Sequence, residues 1–202
     1  LENMETQRIR IARIAAAALA AASLVAASLA AAAPAAGTAA FGPSNPFYAQ
    51  SSLPFRAPPF DKIRGEDYRP AIEAGMAQEL AQMRRIAANP EAPTFENTFV
   101  AMERSGELLA RALSAFRGVS EANTNSTLQA AKSALAPELA AHEDAIRLDP
   151  KLFRRIAAIY DKRGTLKLDA QSLRLVEVVH DQFVHSGANL SDRGSGSAME
   201  PG

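Results

Sequence analysis

The chain has 202 residues, no cysteine, no tryptophan and only three histidines. Without cysteine there is no disulfide, no thiol nucleophile and no thiolate metal site. That absence leaves the compartment open, because a secreted protein need not carry disulfides. An excess of charge is missing too: 22 basic and 22 acidic residues cancel. No Lys/Arg cluster interleaved with aromatics occurs, which argues against a nucleic-acid partner. No window alternates apolar and polar residues with the period of two that a half-buried strand requires. What the chain has in plenty is alanine, the best intrinsic helix former, and enough length for one domain with its own core. An all-α domain is the expectation.

The N-terminus has a different character. Arg8, Arg10 and Arg13 precede an apolar, alanine-dominated run from Ile14 to Ala33, and small residues continue through Ala40. A basic region, an apolar stretch and a small-residue zone are the three parts of a secretory signal peptide. Residues 1–40 are therefore read as a signal and cleavage zone, and the expected location is the periplasm of a bacterium. The run is long enough to raise an uncleaved anchor as the other reading, and that segment is the only route to a membrane. Alanine is only marginally apolar for a bilayer, and Pro34, Gly37 and Thr38 interrupt the exit side, so cleavage is favoured. Residues 41–66 follow as a proline-rich arm with Pro43, Pro46, Pro54, Pro58 and Pro59. Proline removes backbone donors and restricts its predecessor, so an extended arm without hydrogen-bonded elements is expected. Phe47, Tyr48, Phe55 and Phe60 would anchor it on a helical body.

That body is assigned to residues 67–190. The first helix is expected over Tyr68–Ala88, with Ile72, Met76, Leu80, Met83 and Ala87 inward and Asn89-Pro90 as its stop. Pro93-Thr94 then opens a second helix reaching Val119. Its seam is Phe95, Phe99, Met102, Gly106, Leu109, Leu113 and Phe116, at steps of four and three, the spacing of a helix packed on other helices. A third helix, Thr127–Ile146, is capped by Asn125 or Ser126 and contains Pro137. Asp149-Pro150 starts a fourth, with Leu152, Phe153, Ile156, Ile159 and Tyr160 inward and Gly164 at its end. Asp169 caps a fifth, which carries Leu173, Val176, Val179, His180 and Phe183 and ends near Gly187. Paired in sequence, these make antiparallel helical hairpins. Residues 191–202 are polar, glycine-rich and without periodicity, and read as a disordered tail.

Several segments share their order with one known family. They are Asn45-Pro46-Phe47, Leu53-Pro54-Phe55, Ala57 to Ile63, Asp67 to Met76, the Phe95-Glu96-Asn97-Thr98 and Ser105-Gly106-Glu107-Leu108-Leu109 pieces, Leu173 to His180, Phe183-Val184 and Gly187-Ala188. Over Asn45–Leu190 the chain resembles the N-terminal region of the M3 family of zinc metallopeptidases, on the side of its bacterial peptidyl-dipeptidases and their oligopeptidase relatives. The resemblance implies a parent enzyme that cuts short unfolded peptides, releasing C-terminal dipeptides in the peptidyl-dipeptidase members. It implies that these helices form one wall of a deep channel, while the zinc site belongs to a part of the enzyme several hundred residues further along. The polar tail begins where the family continues with another long helix.

The family's chemistry is not legible in this chain. A zinc site of that kind needs two histidines one helical turn apart with a glutamate as base. His142-Glu143 begins that pattern, but Ile146 stands where the second histidine belongs. His180 and His185 are five apart, about 140° around a helix, and cannot share a metal on it. Structural roles are the expectation for His142 and His180, and a surface position for His185. Glu103 and Glu107 are four apart as a carboxylate pair would be, and read as a solvated face balanced by Arg104 and Arg111. The pairs Arg84-Arg85 and Arg154-Arg155 read as surface charge. No Gly-x-Ser-x-Gly elbow and no phosphate-cradling loop occurs. No catalytic, cofactor-binding or metal-binding residue is assigned: the expected product is a piece of an exported zinc peptidase, inactive by itself. A stand-alone periplasmic helical binding module is the alternative.

Overall fold

The structure, a computed structural model, describes residues 40–122 and 125–190. The arginine-led apolar run, the polar tail and part of the turn at 123–126 lie outside the described residues. Among those described there are six α-helices and no strand: α1 (Gly65–Ala87), α2 (Ala101–Glu103), α3 (Glu107–Ala122), α4 (Ser126–Arg147), α5 (Pro150–Asp161) and α6 (Ala170–His185). A π-helical turn, Glu96–Val100, runs directly into α2, and a 3-10 turn, Pro54–Arg56, precedes α1. The fold is all-α.

Local chemistry sets the helix starts. Asp67 accepts the Arg64 N–H at 2.7 Å at the head of α1. Asn125 accepts from Leu128 N at 3.0 Å and opens α4. Asp149 accepts from the Lys151 and Leu152 amides at 2.8 and 3.0 Å, with Pro150 as the first residue of α5. Asp169 accepts from Ser172 N at 2.9 Å and opens α6. In each, a short polar side chain satisfies amides that have no partner inside the helix. α4 runs on through Pro137.

α1 is the spine of the molecule. It packs most extensively on α3 and then on α4, and its C-terminal part reaches α5, which in turn packs on α6. Its buried residues accordingly feed two apolar clusters. Tyr68, Ala71, Ile72 and Met76 join Phe47, Leu109, Ala112, Phe116, Leu128 and Leu135 in the first. Met83 joins Phe99, Leu152, Phe153, Ile156, Ile159, Val176 and Phe183 in the second. Gly75 lets α1 and α3 meet closely: a Cβ there would lie 2.7 Å from the Leu109 backbone nitrogen and Cα. Burial in the first cluster, with the Asp67 carboxylate beside it, pushes the Tyr68 phenol above its ordinary pKa.

Four expectations are corrected. The helix read as continuous from residue 93 to 119 is broken: α2 stops at Glu103, Gly106 has φ of +70°, and α3 starts at Glu107. Gly106 is therefore a turn residue and not a position on one continuous helical seam. Second, α5 ends at Asp161 with Lys162 as its C-cap, not at Gly164. Gly187, with φ of +93°, does follow α6 in the left-handed conformation suited to a helix end.

Third, residues 41–63 are not devoid of hydrogen-bonded structure. Short turns close through Asn45 N to the Gly42 carbonyl, Tyr48 N to the Asn45 carbonyl and Lys62 N to the Pro59 carbonyl, each at 2.9 Å. Fourth, the aromatics there divide. Phe47 is buried against Tyr68, with ring centroids 5.5 Å apart. Its carbonyl accepts from Arg111 at 2.8 Å, and Asn45 donates to the Asp67 carbonyl at 3.0 Å. Phe55 is fully exposed and Phe60 more than half exposed, so neither is an anchor like Phe47.

Candidate functional site

Where the two clusters meet, α1, α2, α3, α4 and α6 leave a groove of about 460 Å³. Its apolar lining comes from Met83, Met102, Leu109, Leu113, Leu139, Ile146, Val179 and Phe183. Glu103, Arg117, Glu143 and Arg147 give it charges of both signs. The chain breaks at Gly106 between α2 and α3: Met102 before it packs beside the second cluster, and Leu109 and Leu113 after it pack in and beside the first. Leu113 and Leu139 are only partly buried beside the first cluster, and Met102, Ile146 and Val179 are only partly buried beside the second. The two clusters thus leave an apolar seam between them.

One buried polar pair lies in the groove wall. His142 Nε2 and Glu79 Oε2 are 2.7 Å apart, with the histidine side chain 9% exposed. The pair ties α4 to α1, and the Glu79 carboxylate also lies against Gly106, where a Cβ would collide with it. Gln82 accepts the Gly106 N–H at 2.8 Å and fixes the break from the same helix. His142 is thus held in a structural contact, its outward nitrogen already engaged.

His180 takes no part in the groove lining. Its ring stacks on Tyr160 with centroids 3.7 Å apart and planes 6° from parallel. Arg163 covers the Tyr160 ring at 3.8 Å, and Phe153 stacks beyond His180 at 5.8 Å. The column joins α5 to α6. His185 is exposed. Among the described residues no three of His, Asp and Glu lie close enough together to hold a metal ion. Since His142 is bonded to Glu79 and Glu143 is paired with Arg147 at 2.6 Å, the residues present do not fit the zinc that the resemblance implies for the whole enzyme.

Glu103 and Glu107 do not share a face. The break at Gly106 sends Glu103 to the groove and Glu107 to a separate cleft beside Phe41, Tyr48, Arg104 and Arg111. Both are exposed, as the reading of solvated charge expects.

Arg155 is also corrected: it is 6% exposed, not surface charge. Its guanidinium donates to the Asn89 carbonyl at 2.8 Å, the Glu91 carbonyl at 3.0 Å and Asn97 Oδ1 at 2.8 Å. Burial holds its pKa below the usual value, partly opposed by the Glu91 carboxylate. Asn97 Oδ1 accepts the Thr94 N–H at 2.8 Å, while Thr94 Oγ1 accepts the Asn97 N–H at 3.1 Å. That reciprocal cap gives the Phe-Glu-Asn-Thr segment its physical role: it starts the π-turn and is locked to α5.

Two polar residues carry a sequence signal that the surface-charge reading of Arg155, and the silence on Glu79, overlook. Glu79 stands three after Met76 and four before Met83, on the buried stripe of α1. Arg155 stands three after Leu152 and four before Ile159, on that of α5. A charge inside an apolar stripe needs a partner, and both have one.

No family model matches the chain. The dipeptidyl carboxypeptidase of Escherichia coli (strain K12) is 46% identical over 147 residues, which cover 73% of this chain and 22% of that protein. The dipeptidyl carboxypeptidase of Salmonella typhimurium (strain LT2) is 44% identical over 149 residues, 74% of this chain and 22% of that protein. The chain thus spans about a fifth of the length of the curated relatives it matches. At that identity, held over nearly three quarters of its own length, this chain is a homologue of one part of the dipeptidyl carboxypeptidases, which belong to the M3 metallopeptidase family.

Proposed function

We propose that this chain is the non-catalytic helical part of an exported, zinc-dependent peptidase of the dipeptidyl carboxypeptidase kind, which acts in the periplasm and releases C-terminal dipeptides from short peptides. The observation that carries the reading is the groove between α1, α2, α3, α4 and α6, with an apolar lining and charges of both signs. A short unfolded peptide offers apolar side chains and charged termini, and such a surface complements both. Its part in the reaction is steric and electrostatic: it admits an extended chain, excludes a folded one and leaves bond cleavage to residues outside this chain. The alternative, a helical binding module that works alone, calls for an outer surface with its large apolar side chains covered. Leu53, Phe55 and Phe60 are each exposed, which favours the first reading.

Two assays of dipeptide release test the proposal. The purified chain, given short peptides with free C-termini, is expected to release none above the blank, with or without added zinc. A chimera in which the matched segment of the Escherichia coli protein is replaced by the corresponding residues of this chain is expected to release dipeptides. Chelator-sensitive hydrolysis by the chain alone would sink the non-catalytic reading, and an inert chimera would sink the role in that enzyme.

A further inference from the structure

Ahead of α1, the turn Pro54–Arg56 with its N-cap Leu53, and Phe60 in the next turn, present three large apolar side chains to solvent. Phe55 is fully exposed, and Leu53 and Phe60 are 45% and 55% exposed. The backbone beneath them is constrained. Phe55 and Arg56 both have φ of 57°, the left-handed region that residues with a Cβ rarely adopt. The turn closes on itself, Arg56 N to the Leu53 carbonyl at 2.9 Å and Ala57 N to the Pro54 carbonyl at 3.2 Å. Pro54, Pro58 and Pro59 fix φ on both sides. A rigid turn that holds a phenylalanine ring outward has the anatomy of an interface anchor, because a preorganised aromatic loses little entropy on docking.

We propose that Leu53, Phe55 and Phe60 form a docking surface for the remainder of a dipeptidyl carboxypeptidase-like protein, an inference that rests on the function proposed above. The occupant follows from length: the matched segment is 22% of either relative, so nearly four fifths of such a protein is available to cover these side chains. Arg56 is exposed within the turn and has no ion-pair partner among the described residues. The facing surface is therefore apolar, with a carboxylate at its edge.

The chain has no cysteine, so Phe55→Cys supplies a single thiol at a position whose side chain touches nothing. Maleimide labelling, read by mass spectrometry on the peptide containing residue 55, is compared between the isolated 202-residue chain and the Escherichia coli chimera. Labelling in the chimera should be slower by about tenfold or more, as burial behind a closed interface requires. Equal rates in a chimera that releases dipeptides, and is therefore folded, overturn the proposal. Slow labelling in the isolated chain that speeds up on dilution also overturns it, since a second copy then covers the turn. The two proposals separate cleanly. A chimera that releases dipeptides but labels fast refutes only the docking surface, whereas one that protects residue 55 but is inert refutes only the function.

Discussion

The guanidinium of Arg155 donates to the side-chain oxygen of Asn97 at 2.8 Å across 58 residues of sequence. The same oxygen closes the Thr94–Asn97 cap, so one atom joins the start of the π-turn to the buried face of α5. Arg155→Met keeps comparable bulk but leaves the Asn89 and Glu91 carbonyls and Asn97 Oδ1 without their cation. Hydrogen bonds to a charged group are worth roughly 1.5–3 kcal/mol, and a loss of about 3 kcal/mol is expected from urea unfolding. With Asn97→Ala the double-mutant cycle should show a coupling of at least about 1 kcal/mol. Additive losses would mean the contact does not couple the two elements.

Two glycines in helices should respond with opposite signs to alanine. At Gly75 a Cβ would lie 2.7 Å from Leu109 backbone atoms, so α1 and α3 must move apart, at about 1–3 kcal/mol. At Gly118, inside α3, a Cβ meets nothing within 4 Å, and the entropy and propensity gain is roughly 0.5–1 kcal/mol. Thermal unfolding of both variants checks the pair, and equal shifts would contradict the packing described.

Asp169 makes the head of α6 sensitive to acid. Its carboxyl pKa is lowered, chiefly by the Ser172 amide and then by the Ser172 hydroxyl. A folded-state pKa below the unfolded value gives a contribution that is complete above the unfolded pKa. That contribution is lost as pH falls through the folded one. From the ordinary value of 3.8 downward, hydrogen exchange at the Ser172 amide should accelerate relative to the amides of α1. Asp169→Asn keeps an acceptor without a titrating proton, and should remove that pH dependence.

Phe47 and Phe55 stand eight residues apart and should behave differently in the isolated chain. Phe47 is packed on Tyr68 within the first cluster, and Phe47→Ala should cost about 3–5 kcal/mol. Phe55 is fully exposed, and Phe55→Ala should change stability by no more than about 0.5 kcal/mol. Urea midpoints of the two variants decide it.

What the sequence determined is the part of the fold governed by neighbours along the chain. Asn125, Asp149 and Asp169 sit where caps belong, Pro150 stands at a first helical position, and the stripes through Ile72, Leu152 and Val176 are buried where periodicity put them. These follow from hydrogen bonds and burial that repeat every three or four residues, so a single sequence displays them. The family was legible for the same reason, as short segments in a fixed order.

Tertiary structure alone decided the rest. Seam spacing continues straight through Ser105-Gly106, yet the helix breaks there because Gln82 and Glu79, more than twenty residues back, hold Gly106 in a left-handed turn. On either side of that break Glu103 lines the groove and Glu107 a separate cleft. The place of Arg155 on the apolar stripe of α5 marks it as a buried cation, but its acceptors at Asn89, Glu91 and Asn97 are distant in sequence, and only the fold brings them to it. Phe47 and Phe55 carry the same side chain beside the same kind of proline. Only the position of α1 and α3 buries one of them and leaves the other in solvent, because burial depends on what the rest of the chain brings into contact.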